Sequence, residues 1–155
     1  MSNKEWGNAT WVLFHSLAQQ ITAEALDQER EYLIKFVINT CYHLPCPVCS
    51  NHASNLLSRS YTGEIQTKDD FIEFLRQFHN IVNATLNKPM MSEKDCHEKY
   101  KLAKLDLIID NFLSTLSVSY GNMKMLVHSF KRQTYIRSQR SVLYRFRNSS
   151  KGGNN

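Results

Sequence analysis

Apolar residues recur along this chain at three- and four-residue intervals, the spacing that gathers them on one side of a helix. Trp11, Phe14, His15, Ala18 and Thr22 form the first stripe and predict a helix from about Asn8 to Ala25, capped by Asn8. Leu33, Phe36, Val37 and Thr40 predict a second, from about Asp27 to Tyr42, with Glu29, Glu31 and Lys35 toward solvent; Pro45 stops it. A shorter helix is expected over Cys46 to Ser58, where Pro47 fits the first turn because an N–H missing there has no helical partner to lose. Tyr61-Thr62-Gly63-Glu64 reads as a turn. Phe71, Leu75, Phe78, Val82 and Leu86 mark a fourth helix from about Lys68 to Asn87, opened by Thr67 and Asp70 at capping-box spacing and closed by Lys88-Pro89. Cys96, His97, Lys99 and Tyr100 read as a loop, followed by a last helix from about Lys101 to Ser119 carrying Leu105, Ile109, Phe112 and Leu116.

Composition agrees with this all-α reading. Glycine (5) and proline (3) are scarce in 155 residues, and the length suits one domain with a real core. No run approaches the roughly 20 apolar residues of a membrane span. Met1 to Trp6 show no apolar stretch of a secretory signal, so a cytoplasmic protein is the expectation, where most thiols stay reduced unless they are catalytic or bind metal.

The net charge of +5 is unevenly placed. Residues 121–155 contain eight Lys and Arg and no acid, and their charges are interleaved with Phe130, Tyr135, Val142, Leu143, Tyr144 and Phe146. This basic tail is expected to be partly disordered, with a disordered end, and to suit an anionic partner, nucleic acid or an acidic membrane surface.

The candidate chemistry starts at Cys46-Pro47-Val48-Cys49. Two thiols at this spacing can close a disulfide, supply half of a metal site, or do neither. A thiol at a helix start faces unpaired N–H groups and the positive end of the helix dipole, which favours its thiolate. Cys46 is thus the better candidate for exchange with an outside thiol, and Cys49 faces inward. His79 and Asn83 lie one turn apart beside the apolar stripe, and a polar pair there needs a partner.

Several pieces then fall in order: Trp6-Gly7, Trp11-Val12-Leu13-Phe14-His15, Cys46-Pro47-Val48-Cys49, His79-Asn80-Ile81-Val82-Asn83 and Asn87-Lys88-Pro89. Over about residues 5–100 the chain resembles the Erv/ALR family of FAD-linked sulfhydryl oxidases. The resemblance implies a four-helix bundle holding FAD at its mouth, with a short fifth helical segment, and a homodimer formed through the first helices. It divides the chain into an oxidase domain over 1–100, an additional helix over 101–120 and the basic tail over 121–155. It implies that a substrate dithiol, or a dithiol relay protein, reduces a Cys46–Cys49 disulfide. Cys49 then passes electrons to FAD, and O2 takes them up as H2O2. Carried over by position, Gly7, Trp11 and His15 line the flavin from the first helix; His79, Asn80, Val82 and Asn83 hold it from the fourth. Lys88 meets the pyrophosphate, and Tyr100 lies near the adenine.

Two departures accompany the resemblance. Where many members staple the loop after the redox helix to the fourth helix by a disulfide, this chain has Ser58 and Asp70. It also has no second cysteine pair to act as a shuttle, only Cys41 and Cys96, which could pair, bridge two chains or stay free. The leading alternative is a zinc site built from Cys46, Cys49, Cys96 and His97, though adjacent ligands suit a tetrahedral ion poorly. A nucleic-acid-binding module using the tail is the other. A cytosolic enzyme that makes disulfides resembles the small virus-encoded members of the family.

Overall fold

The computed structural model describes residues 3–60, 62–118 and 125–150. They form seven α-helices and one 3-10 turn, with no strand among them. The helices are α1 (Asn3–Gln20), α2 (Ala23–Tyr42), α3 (Pro47–Ser58), α4 (Lys68–Thr85), α5 (Glu93–Tyr100), α6 (Leu105–Ser117) and α7 (Leu126–Asn148). The all-α expectation holds.

The predicted stripes supply most of the buried faces, except that Leu86, the residue after the end of α4, is exposed. Phe14, Leu33, Phe36, Val37, Phe71, Leu75, Phe78, Ile109, Phe112 and Leu116 all lie inside. Helix α4 crosses α1, α3 packs on α2, and α5 sits across α1 and α4. Helix α6 runs along α1 and carries α7 on its other side.

Several boundaries differ from the sequence expectation: α1 already begins at Asn3, so Asn8 lies inside it and does not cap it, and α6 begins only at Leu105, after Lys104. The first helix ends at Gln20, because Thr22 takes extended geometry (φ −73°, ψ 156°) and its hydroxyl accepts the Ala25 N–H to cap α2. The segment read as a loop around Cys96 is helix α5, capped by Ser92, whose hydroxyl accepts from Asp95. Most of the tail read as partly disordered is helix α7, which buries Ile136, Leu143 and Phe146. Arg132 of α7 is fully buried and donates to the carbonyls of Leu116 (2.9 Å) and Val118 (2.7 Å), closing the C-terminal end of α6. The expected turn at Tyr61 and disordered end after Ser150 fall on or extend into residues outside the described ones.

At Asp70, one of the two positions where many family members place the stapling disulfide, the side chain caps the start of α4. The Asp70 carboxylate accepts the N–H groups of Gln66 (3.1 Å) and Thr67 (2.9 Å), and Thr67 returns the bond to Asp70 N–H. The capping box predicted from sequence is therefore formed.

Candidate functional site

Helix α3 begins at the cysteine pair for reasons visible in the local chain. Leu44 and Pro45 are buried, and Cys46 is the extended N-cap. Pro47 follows at the first position, where its missing N–H leaves nothing unpaired. The Ser50 hydroxyl donates to Cys41 O, fastening this turn to the end of α2, and His128 of α7 donates to Leu44 O (2.6 Å) from the other side. Two donors converge on Cys46 Sγ: the Cys49 N–H at 3.2 Å and the Cys49 thiol at 2.6 Å. Burial, then the neighbouring Cys46, push the Cys49 thiol up to about 12.

Behind Cys49 lies a cavity of about 1110 Å³. Its walls come from α1 (Trp6, Gly7, Thr10, Trp11, Phe14), α2 and α3 (Cys41, Cys49, His52, Ala53) and α4 (Phe78, His79, Val82, Asn83). The loop after α4 adds Lys88, Pro89, Met90 and Met91, and α5 adds Asp95, Glu98, Lys99 and Tyr100. Cys49 faces this space, while Cys46 is half-buried and outside its lining. A methyl group built on Gly7 would meet nothing within 4 Å, so a ligand can approach the backbone there.

Aromatic rings and imidazoles organise one wall. Trp11 stacks on His79 (centroids 4.0 Å, 7°) and takes the Phe78 edge at 5.1 Å. His15 stacks on Tyr100 at 4.7 Å and shares a hydrogen bond with His79, Nε2 to Nδ1, at 2.9 Å. Burial is the main cause that lowers both imidazoles, His15 to about 3 and His79 to about 4; Lys99 repels both and Lys88 adds to the effect on His79. Both rings are therefore neutral near pH 7, one donating and one accepting in their shared bond.

The other wall is the loop that follows α4. Asn87 takes a positive φ of 57°, a left-handed position asparagine tolerates, and turns the chain back along the helix. Asn80 grips the returning strand of chain at both ends of one peptide group pair: its amide donates to Met91 O (2.9 Å) and its carbonyl accepts Met91 N–H (2.8 Å). Asn83 donates to Pro89 O at 3.3 Å. Lys88 and Met91 are thereby held over the cavity.

Of the residues singled out from sequence, Gly7, Trp11, Cys49, His79, Val82, Asn83, Lys88 and Tyr100 come together around this one space. His15 and Asn80 stand behind the lining, positioning His79 and the Met91 loop respectively. Cys41 and Cys96 are buried and free, with Cys96 Sγ 3.8 Å from His15 Nδ1. The zinc alternative fails on placement: among the described residues no three metal-ligating side chains cluster, and His97 turns to Gln19. Sequence reasoning missed Lys99 and His52 as wall residues. Ser92 and Asp95, spaced like a capping pair, were the signal for the helix that presents Lys99.

The sequence pattern of the Erv1/Alr family matches residues 8–101. A provisionally named FAD-linked sulfhydryl oxidase of Invertebrate iridescent virus 3 is 30% identical over 100 residues, covering 64% of this chain and 68% of the viral protein. The FAD-linked sulfhydryl oxidase of African swine fever virus (isolate Tick/Malawi/Lil 20-1/1983) is 28% identical over 103 residues, covering 66% of this chain. Those residues are 86% of the viral protein, which is thus about 120 residues long. The FAD-linked sulfhydryl oxidase ERV1 of Oryza sativa subsp. japonica is 29% identical over 90 residues, 58% of this chain but only 46% of the plant protein. No solved structure gives a significant match.

Proposed function

The chain belongs to the Erv1/Alr family, and from that premise we propose that it is an FAD-dependent sulfhydryl oxidase that makes disulfide bonds in other proteins, with Cys46 and Cys49 as its redox pair. One observation carries the assignment of roles: the two sulfurs lie 2.6 Å apart, yet only Cys49 faces the large cavity.

The residues fit a bound FAD. Gly7 leaves room for a ring system to approach α1, Trp11 and His79 offer flat faces, and Lys88 and Lys99 supply positive charge for the pyrophosphate. Asn83, Val82 and Tyr100 complete the proposed contacts, while His15 and Asn80 hold contact residues in place. Bound there, FAD would supply a two-electron acceptor that O2 reoxidises, giving H2O2.

The chain's own part is thiol exchange. A substrate thiolate attacks Cys46 Sγ of the oxidised pair; the Cys46–Cys49 bond breaks, and the electron pair leaves on Cys49 Sγ, toward the cavity. A second substrate thiolate attacks the mixed disulfide and releases Cys46, so the substrate gains one disulfide and the pair becomes a dithiol. The substrate's reducing pair of electrons then sits at the cavity wall. The exposed Val48, which is 77% accessible, separates the two cysteines and gives an incoming protein an apolar foothold beside Cys46.

The substrate is a protein dithiol or a relay protein carrying one. Among the described residues no helix is long and apolar enough to cross a membrane. Lys131, Arg137 and Arg140, exposed on α7, are the cations that an anionic partner, nucleic acid or membrane surface would meet. Two copies of the chain would pair as a homodimer through the first helices, as the family resemblance implies. Purified protein should show a flavin spectrum and consume oxygen with a dithiol; stoichiometric zinc without flavin would overturn the reading.

A further inference from the structure

Helix α5 turns two side chains inward, Cys96 and Tyr100, four residues apart and so on one face. Ser92 caps the helix, and Met91 just before the cap is held by Asn80 and by Arg76, whose guanidinium donates to Met91 O at 3.0 Å. Both inward residues meet the same ring. Tyr100 stacks on His15, and Cys96 Sγ lies 3.8 Å from His15 Nδ1, within reach of a sulfur hydrogen bond. His15 Nε2 in turn shares its bond with His79 Nδ1. Cys96 on α5, His15 on α1 and His79 on α4 thus form one line, and His79 ends it at the cavity wall.

The line is sealed at its inner end. Cys96 is 0% and His15 1% exposed, so bulk water competes for neither, and among the described residues Cys96 Sγ and His15 Nδ1 have only each other as partners. Burial keeps the proton on the thiol and holds both imidazoles neutral, so each ring carries a single N–H. The line can therefore run in only two directions. If the thiol donates to His15 Nδ1, then His15 Nε2–H donates to His79 Nδ1, and every buried proton has an acceptor. In reverse, the His15 Nδ1–H is spent on sulfur, a weak acceptor, and the buried S–H is left with none. The first direction places the last proton on His79 Nε2, the one nitrogen of that ring with no protein partner among the described residues.

We propose that Cys96, acting through His15, fixes the proton of His79 on Nε2 and so makes this wall of the cavity a hydrogen-bond donor, matched to an acceptor nitrogen or carbonyl of the bound ligand. Cys96 lies outside the cavity lining and is a positioning residue. That the ligand is FAD rests on the oxidase reading; the proton arrangement does not. Full-length protein with nitrogen-labelled histidine, as purified and with FAD added, is read by long-range proton–nitrogen correlation, which separates bare from protonated ring nitrogens. Both His15 and His79 are expected as Nε2–H rings, with and without flavin. Cys96→Ala removes the donor to His15 Nδ1, and His79 should then populate the Nδ1–H form; Cys96→Ser, which restores a donor, should return it to Nε2–H. His79 protonated at Nδ1 in the wild type overturns the proposal, and that spectrum decides even where a variant fails to fold. Cys96→Ala with wild-type tautomers, or Cys96→Ser as altered as Cys96→Ala, overturns it too. A protein with the expected tautomers that binds no flavin would sink the oxidase reading and leave this one standing.

Discussion

Asn80 shares the hold on the cavity's outer wall with Arg76, which donates to Met91 O at 3.0 Å, and Asn80→Ala should separate that role from direct contact with a cofactor. The variant removes two short bonds to the Met91 peptide groups, of 2.9 and 2.8 Å. A neutral hydrogen bond is worth about 1 kcal/mol net, and a partner left unpaired in a buried place costs about 1–3 kcal/mol. Met91 O keeps the bond it accepts from Arg76, and Met91 is half-buried so water can reach its N–H; the total therefore stays near that of the two lost bonds, about 2 kcal/mol. In a chain of this size that lowers Tm by roughly 5–10 °C. The loop it releases carries Lys88, Pro89 and Met90 into the cavity wall. If the penalty falls on the FAD-bound form, binding weakens by about 10- to 100-fold, since roughly 1.4 kcal/mol is tenfold. Titration of the apoprotein with FAD, read by flavin fluorescence, measures this beside thermal unfolding. Asp70→Ala is the comparison, because it removes a pair of backbone bonds remote from the cavity; it should lower Tm and leave FAD affinity alone. An Asn80→Ala protein that binds FAD like the wild type, with an unchanged Tm, would refute the clamp.

Other consequences follow from the same contacts. His15 and His79 stay neutral when folded, whereas in the unfolded chain they take up protons below about pH 6.5. Stability should therefore be level above that pH and fall as pH drops toward about 4. The slope is about 1.4 kcal/mol per pH unit for His15 and less for His79, which meets more solvent; equal urea midpoints at pH 7 and pH 5 would contradict it. Phe112→Ala, removing a fully buried ring between α6 and Phe36, should cost about 3–5 kcal/mol, measured by denaturant unfolding. A loss near zero would mean that α6 is not part of the core. In the reduced protein at neutral pH, iodoacetamide should label Cys46 first and spare Cys49, Cys41 and Cys96; mass spectrometry of early time points showing Cys49 labelled as fast would reverse the assigned roles.

How far the sequence carried the fold depends on what each helix buries. The stripes of α4 and α6 were legible because five or more large apolar residues repeat on one face. Helix α5 was not, because Glu93–Tyr100 is polar throughout and turns only Cys96 and Tyr100 inward. The break between α1 and α2 was hidden because Thr22 falls on the stripe of the first helix, and only its extended backbone shows it to be the cap of the next. In α7 the charges masked the pattern: Ile136, Leu143 and Phe146 do repeat at helical spacing, but six cations within the helix suggested solvent. Three of those cations, Arg132, Arg145 and Arg147, are spent on α6 carbonyls, Glu29 and Asp106. The site was legible as motifs rather than as geometry. Nothing local brings His15 to His79 across sixty-four residues; the packing of α1 on α4 does. Lys99 became visible only once α5 was a helix.

The claim most exposed to test is that electrons cross from Cys46 through Cys49 into the cavity. Anaerobic mixing of the flavin-loaded protein with a dithiol should bleach the flavin in the wild type and leave it oxidised in Cys49→Ser, with both proteins carrying the same amount of FAD beforehand. Bleaching of Cys49→Ser at the wild-type rate would contradict the account.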